Sequence, residues 1–371
     1  MTVPTIRVGV IGTSWWADSM YLPALVDHGH CVVDAVVGRS PSRTEQFARR
    51  WGIDRWYTDP AALIGSGEVD AVIVASANDS HHPLTAAALD AGLHVLCEKP
   101  LGLDVAQAAD LVARARAAGV VTMVPFTYRY MPMFRWIKRL IAEGYVGSVR
   151  HVNLRYYTGF AHGGEYVWRF DNAVAGSGVL GDLGSHWIHV ARWLLDDDEV
   201  VVSATTRRQV PRAGRPDGTD YERGEDSAVF TVDYRSGAYG VFQVTAVAWE
   251  PGSFGQSHQI EVHGDDGTLH GLCDWQTVQR VSGAKWGEEP MAELPIPDDI
   301  WNGAPRSSVH DTYRHIFRRT GAMTRGWVDA IAAGTPIQPD FAEGLAVQRV
   351  LDAALASASA GGTQVAIGDR S

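Results

Sequence analysis

The 371 residues carry 32 Lys+Arg against 43 Asp+Glu, a net charge of −11, with 46% hydrophobic and 20% charged side chains. That length fits two domains and the composition excludes long disorder; the negative charge disfavours partners with phosphate backbones or anionic bilayers. Cys31, Cys97 and Cys273 are scattered without a C-x-x-C pair, so neither a disulfide framework nor a thiolate zinc site is suggested.

The chain enters an apolar strand by Ile6, leaving no room for a signal peptide, and no apolar run is long enough to span a bilayer. A soluble, cytoplasmic protein is expected. From Ile6 to Pro125, strand candidates Ile6–Gly12, Val32–Val37, Val69–Ala75, His94–Cys97 and Val120–Pro125 alternate with helical patterns. Leu84, Ala87, Ala88 and Ala91 have helical spacing, with Ser80 as N-cap and Gly92 past the end. Ala108, Leu111, Val112 and Ala115 repeat it between an Asp104/Gln107 capping box and Gly119. Such alternation predicts a doubly wound parallel sheet over residues 1–125.

After Phe126 a helix over Met131–Glu143 leads into runs with period-two alternation at Val149–Tyr157, Val200–Arg207, Ala228–Tyr234, Ala238–Trp249, Gln259–Gly264 and Thr268–Val281. Turn signals at Ser236-Gly237 and Asp266-Gly267 join consecutive runs, predicting an antiparallel sheet. Helices return at His310–Ala333 and Phe341–Ala358. Residues 126–371 thus read as an α+β domain with a large, mostly antiparallel open sheet.

Strand and helix first join at Gly9-Val10-Ile11-Gly12-Thr13-Ser14-Trp15-Trp16-Ala17, where dinucleotide-binding domains place G-x-G-x-x-G. Gly12 supplies the tight turn, Ser14 stands at the second glycine position and Ala17 at the third. An ordinary strand-to-helix turn is the competing reading. Beyond the second strand, Gly38 stands where an NAD-selective site wants a carboxylate for the ribose. Arg39, Ser40 and Arg43 suit a 2′-phosphate instead, so NADP is expected over NAD; a solvated basic turn is the alternative.

Lys99 follows the fourth strand at the ligand-binding edge, suited to proton exchange with a substrate hydroxyl, or is a surface lysine before a proline turn. In the run from Gly176 to His189, Asp182 and His186 lie one helical turn apart with His189 close by. Three readings stay open there: an Asp-oriented imidazole for acid–base work, a D-x-x-x-H-x-x-H zinc site, or polar packing under the sheet.

Taken in order, these segments resemble the Gfo/Idh/MocA oxidoreductase family over nearly the whole chain. The resemblance rests on the glycine loop, Ala75-Ser76-Ala77-Asn78-Asp79-Ser80-His81, Glu98-Lys99-Pro100, Tyr128-Arg129-Tyr130, Trp168-Arg169, the block from Gly178 to His186, and the late helix at Gly344–Ala354. It implies that Lys99 stands at the nicotinamide and substrate hydroxyl, with a Lys99–Pro100 bond that is often cis. It further implies His186 as proton acceptor, and Asp182 binding substrate or orienting that histidine. Thr13, Ser14, Trp15 and Trp16 would lie over the pyrophosphate, Ser76, Asn78 and His81 beside the nicotinamide half, and Glu98, Trp168 and Arg169 would contact the cofactor. A homodimer or homotetramer is implied through the large sheet. Ser14, Ser177 with Gly181, and His189 (where many members carry Asp) depart from the pattern.

The expected protein is therefore an NAD(P)-dependent dehydrogenase or reductase acting on a CH–OH group of a sugar, cyclitol or related polyol, with a small-molecule substrate. Arg129, Tyr130, Tyr157, His189 and Tyr313 are candidate substrate contacts. The rivals are a glycosidase using transient oxidation on a held nicotinamide, a metal-dependent hydrolase through Asp182, His186 and His189, and a non-catalytic dinucleotide sensor.

Overall fold

The computed structural model describes residues 4–250 and 255–368. The chain divides into two compact units, one comprising the chain up to Phe126 with Arg314–Gln348, the other Thr127–Tyr313 with the chain from Arg349 on. No helix among the described residues is long and apolar enough to cross a membrane.

In the first unit the predicted alternation becomes a six-stranded sheet of β1 (Ile6–Ile11), β2 (Cys31–Val37), β3 (Arg55–Tyr57), β4 (Ala71–Val74), β5 (His94–Cys97) and β6 (Thr122–Met123). Its order is β3-β2-β1-β4-β5-β6, and every pairing is parallel. All four residues of β4 are buried, as befits a strand covered on both faces. The order reverses between β1 and β4, the place where doubly wound sheets open a ligand crevice at their carboxyl ends. β3 escapes the sequence reading because three residues are too few to display a period.

The helix Val105–Ala118 starts as expected: the Gln107 N–H donates to Asp104 Oδ1 at 2.8 Å, and the chain leaves through Gly119 at φ 64°. Ser80 behaves differently. Asn78–Ser80 form a 3₁₀ turn, the helix begins at His81, and the Ser80 hydroxyl turns back to Ser76 Oγ and the Ala77 carbonyl, both at 2.7 Å.

The first domain is also not confined to residues 1–125. Trp327, Val328 and Phe341 are almost fully buried in a segment that belongs to the first unit. The Val124 N–H donates to the Pro339 carbonyl at 2.9 Å, and the Phe341 N–H reaches Thr122 Oγ1 at 3.4 Å. A two-residue edge strand, β6, needs this apolar cover, so the chain returns to supply it. A Cβ on Gly344 would lie 2.9 Å from Val124 and 3.0 Å from Leu101, so the absence of a side chain there permits the approach.

The second unit is built on β7 (Val149–Thr158), β8 (Glu199–Arg207), β9 (Ser227–Tyr234), β10 (Tyr239–Thr245), β11 (Gln256–Gly264), β12 (Gly267–Cys273), β13 (Gln279–Lys285), β14 (Ala292–Glu293) and β15 (Val365–Ala366). Their order is β14-β13-β12-β11-β7-β10-β9-β8-β15. Among the described strands of this sheet only β7 and β10 pair in parallel. The run Thr268–Val281, expected as one strand, is a hairpin. Asp274 Oδ1 accepts the N–H groups of Gln276, Thr277 and Val278 at 2.8–2.9 Å and turns the chain.

Alternation sorts this sheet into two faces. Val152, Leu154, Phe230, Phe242, Ile260 and Val262 are buried on one, where Phe230 and Phe242 sit directly opposite and stack at 4.7 Å. Helices Pro132–Ala142 and Ser185–Leu195 pack against this unit's strands. His151, Asn153, Arg155 and Tyr157 point to the other face and keep partial exposure.

Candidate active site

On the first unit, the segments singled out by sequence all follow carboxyl ends of parallel strands: Gly12 after β1, Gly38 after β2, Ser76 after β4 and Lys99 after β5. Gly12 holds φ 121°, and a Cβ there would lie 2.3 Å from the Ala75 carbonyl oxygen. Only glycine satisfies both demands, so the first glycine of the loop is irreplaceable on steric grounds. The helix that follows runs from Trp15, with a π-turn over Ala17–Tyr21. Ser14 caps it: its Oγ accepts the Ala17 N–H at 3.2 Å. A hydroxyl accepting there keeps its own proton for donation, so Ser14 closes the helix end without losing its donor. Glycine cradle, helix start and hydroxyl donor together fit a dinucleotide pyrophosphate.

The π-turn aims Tyr21 at the Lys99 segment. The Tyr21 hydroxyl donates to Glu98 Oε1, and the Lys99 N–H donates to Glu98 Oε2 at 3.2 Å. Burial pushes the Glu98 carboxyl up, opposed by Tyr21 and by the Lys99 charge. Glu98 therefore ties the first helix to the lysine turn. The Lys99–Pro100 bond is cis.

His81, expected beside the nicotinamide half, links the two turns at this edge. It is fully buried, with Nδ1 2.8 Å from the Pro100 carbonyl and Nε2 3.3 Å from the Ser76 carbonyl. It joins the turn after β4 to the turn after β5, and burial lowers its pKa. Asn78 is also buried, whereas Ser76 is partly exposed.

After β2, a Cβ on Gly38 would lie 2.4 Å from Thr44 Oγ1 and 2.9 Å from Thr13 Oγ1. The carboxylate position is closed by these two threonines. Arg39 and Arg43 are exposed and form no ion pair among the described residues, and Ser40 stands at the N-cap of helix Pro41–Trp51. Trp15 is 61% exposed, its ring 6.0 Å from that of Trp16.

On the second unit, Asp182 lies in a π-turn over Leu180–Gly184 and His186 in the helix Ser185–Leu195 that continues it. The two departures before Asp182 explain each other. The Gly181 N–H donates to Ser177 Oγ at 2.9 Å, and a Cβ on Gly181 would lie 2.6 Å from that same oxygen. Gly178 presses on the Glu225 backbone, 2.1 Å from where its Cβ would stand, and Glu225 accepts the Leu180 N–H at 2.8 Å. Arg169, stacked 4.6 Å over Trp168, brings its Nε to 3.4 Å from Asp182 Oδ1.

His186 faces an aromatic cluster that sequence reasoning largely missed. Its ring lies 4.7 Å from that of Tyr128, whose hydroxyl is 2.9 Å from the Tyr156 hydroxyl. Tyr128 also meets His258 at 4.7 Å and Tyr313 at 6.4 Å. The Trp275 N–H donates to the His258 ring at 3.1 Å. Burial holds His258 well below the ordinary histidine range and pushes the Tyr128 and Tyr156 hydroxyls up. The signal for His258 was available: it shares the inward face of β11 with Ile260 and Val262, an unusual place for a polar ring.

Four of the five expected substrate contacts lie outside the aromatic cluster. Tyr157 points to the opposite face from Tyr156 and donates to Gln243 Oε1 at 2.7 Å, so it stands apart from the Asp182–His186 cluster. His189 is fully buried rather than lining a pocket, its pKa driven well down by burial and by Arg129. Arg129 lies over the Tyr130 and Trp193 rings at 5.7 and 5.3 Å, and burial pushes the Tyr130 hydroxyl up. Tyr313 alone of the five packs in the aromatic cluster. The zinc reading fails too. Asp182, His186 and His189 do not converge; among the described residues the one group whose possible ligand atoms all lie within 4.8 Å is Glu261, His263 and His270.

Residues 6–126 match an oxidoreductase family with an NAD-binding Rossmann fold, and residues 134–270 match the GFO/IDH/MocA C-terminal domain. The 1,5-anhydro-D-fructose reductase of Ensifer adhaerens is 32% identical over 270 residues, 71% of this chain and 75% of that protein. The levoglucosan dehydrogenase of Pseudarthrobacter phenanthrenivorans is 25% identical over 346 residues, 86% of each. An oxidoreductase domain protein from Kribbella flavida superposes with a TM-score of 0.83 at 29% identity, covering 99% of this chain and 100% of its own. With a glycine cradle on one unit, Asp182 and His186 on a helix of the other, and both halves matched in order, this chain belongs to the NAD-binding Gfo/Idh/MocA oxidoreductase family.

Proposed function

We propose that the chain is an NADP(H)-preferring dehydrogenase or reductase exchanging hydride with a secondary alcohol or ketone carbon of a sugar, cyclitol or related polyol. The observation that carries the reading is the placement of Lys99 and the Gly12 cradle on the same carboxyl edge of one parallel sheet. Nicotinamide C4, when bound, accepts or gives the hydride. Gly12, Ser14 and the start of the following helix would hold the pyrophosphate. Arg39, Ser40 and Arg43 would take the 2′-phosphate, since Gly38 leaves no carboxylate to repel it and Thr13 and Thr44 leave no room for one.

In the oxidation direction His186 or Lys99 removes the hydroxyl proton as hydride leaves. Asp182, held by Arg169, binds the substrate or orients His186. Glu98 and His81 act as positioning residues, fixing the turn from which Lys99 projects. A polyhydroxylated substrate is supported by the relatives acting on 1,5-anhydro-D-fructose and levoglucosan, and the family resemblance supports a homodimer or homotetramer.

The test is Lys99→Ala in a polyol and ketosugar screen with NADPH. Hydride transfer should be lost while NADPH affinity, followed by tryptophan quenching, stays within several-fold. Unchanged turnover would sink the assignment.

A further inference from the structure

On the exposed face of the nine-stranded sheet, away from the inward aromatic cluster, β11 and β12 bring together three metal-ligating side chains. Glu261 and His263 are two residues apart on β11 and so share a face. Glu261 is directly opposite His270 on β12. One ligand atom from each lies within 4.8 Å of the others, and His263 Nε2 is 3.7 Å from Glu261 Oε2. Donors arranged tetrahedrally at about 2.1 Å from zinc stand about 3.4 Å apart, so small side-chain rotations close the set.

The protonation of His263 is arranged for this. Thr268 Oγ1 lies 2.8 Å from His263 Nδ1 and donates its own proton to the Val262 carbonyl at 3.3 Å. With that proton on the carbonyl the hydroxyl accepts from Nδ1–H, the tautomer that leaves a lone pair on Nε2, the atom facing Glu261. A histidine ligand oriented through its second nitrogen is the usual support of a metal site. Glu261 is itself held by Asn153 Nδ2 at 2.9 Å and Arg155 at 3.1 Å, bonds that fix the carboxylate and favour its ionised form. In the single chain His263 and Glu261 are about 30% exposed, and Glu261 and His270 line a pocket with Gln259, Leu272, Arg280 and Ser282.

We propose that Glu261, His263 and His270 form a divalent transition-metal site, with zinc as the fitting ion and solvent at the fourth position. Imidazole and carboxylate donors select such borderline cations over calcium or magnesium. All three ligands come from one chain, and the site clips β11 to β12 across their register.

The test is a titration of untagged, EDTA-stripped full-length protein with Zn²⁺ at pH 7.5 against a chromophoric chelator, with thermal unfolding alongside. One zinc per chain is expected, together with a zinc-dependent rise in melting temperature. His270→Ala and Glu261→Gln should weaken that site at least about tenfold, and Thr268→Val, which removes the support of His263 without touching a ligand, by about tenfold. Metal-free melting of each variant should match the parent. Failure of the parent to take up zinc, or uptake equal in the parent and in all three variants, would overturn the proposal.

Discussion

Gly38 offers a quantitative test of how the adenosine end of the cofactor site is built. Installing a carboxylate there is the obvious route to an NAD-selective pocket, but the new Cβ would stand 2.4 Å from Thr44 Oγ1 and 2.9 Å from Thr13 Oγ1. Thr44 is fully buried and its hydroxyl donates to the Ser40 carbonyl at 2.7 Å. Being branched at Cβ, it has no rotamer that clears the space and keeps that bond. Gly38→Asp therefore carries an overpacking cost of about 1–3 kcal/mol and loses a hydrogen bond worth about 1 kcal/mol. At about 2–4 °C per kcal/mol for a unit of this size, the first unit should melt roughly 5–15 °C lower, without gaining NADH affinity. Thr44→Ala in the same chain removes the nearer obstruction, so the double variant should recover about 1–2 kcal/mol relative to additivity and shift preference toward NADH. Thermal unfolding of the four proteins of the cycle, with NADH and NADPH titrations, reads both effects. A single Gly38→Asp variant melting with the parent, or a cycle without coupling, would refute the steric account.

Arg39→Ala should weaken NADPH about tenfold, the loss of one charge-assisted phosphate contact at an exposed site, and leave NADH nearly unchanged; equal losses in fluorescence titrations would reject the 2′-phosphate assignment. Acid should destabilise the protein through its buried imidazoles. Burial lowers the pKa of His81, His189 and His258 in the folded chain, so their contribution is complete above the unfolded value of about 6.5. It falls away as pH drops below that value toward the folded pKa, because unfolding then takes up protons. Each contributes a slope of at most about 1.4 kcal/mol per pH unit. Urea unfolding between pH 7.5 and 5.5 should show the decline, reduced in His258→Gln; a flat profile in the parent would contradict it.

The parts of this molecule that follow from a short stretch of chain were legible in it. Gly12, Lys99 and the Asp182–His186 spacing each report a strand end or a helix turn, and those are local features. Alternation at Val152, Leu154 and Tyr156 even marked the inward face, and Tyr157 as a substrate contact ran against it. What depended on distant segments was hidden. The return of 314–348 to cover β6, the partnership of Tyr128 with His258, and the register that sets Glu261 opposite His270 need the pairing of strands and helices, which no spacing within one segment encodes.

The departures from the family pattern show the same division from the other side. Read singly, Ser14 looks like an obstruction in a glycine loop, and Ser177 with Gly181 looks like a disturbed turn before Asp182. In the fold each serine accepts an N–H near the start of a π-containing helix, Ala17 for Ser14 and Gly181 for Ser177. One of those helices carries Tyr21 to Glu98 and the Lys99 turn; the other carries Asp182 and His186. A π-turn disturbs the regular i to i−4 pattern and exposes backbone donors that a regular helix would satisfy, so a hydroxyl at its entrance is a structural requirement of the turn. Ser14 and Ser177 are thus the cost of aiming Tyr21 and Asp182, and replacing either with glycine would restore the family letter while loosening the side chain it serves.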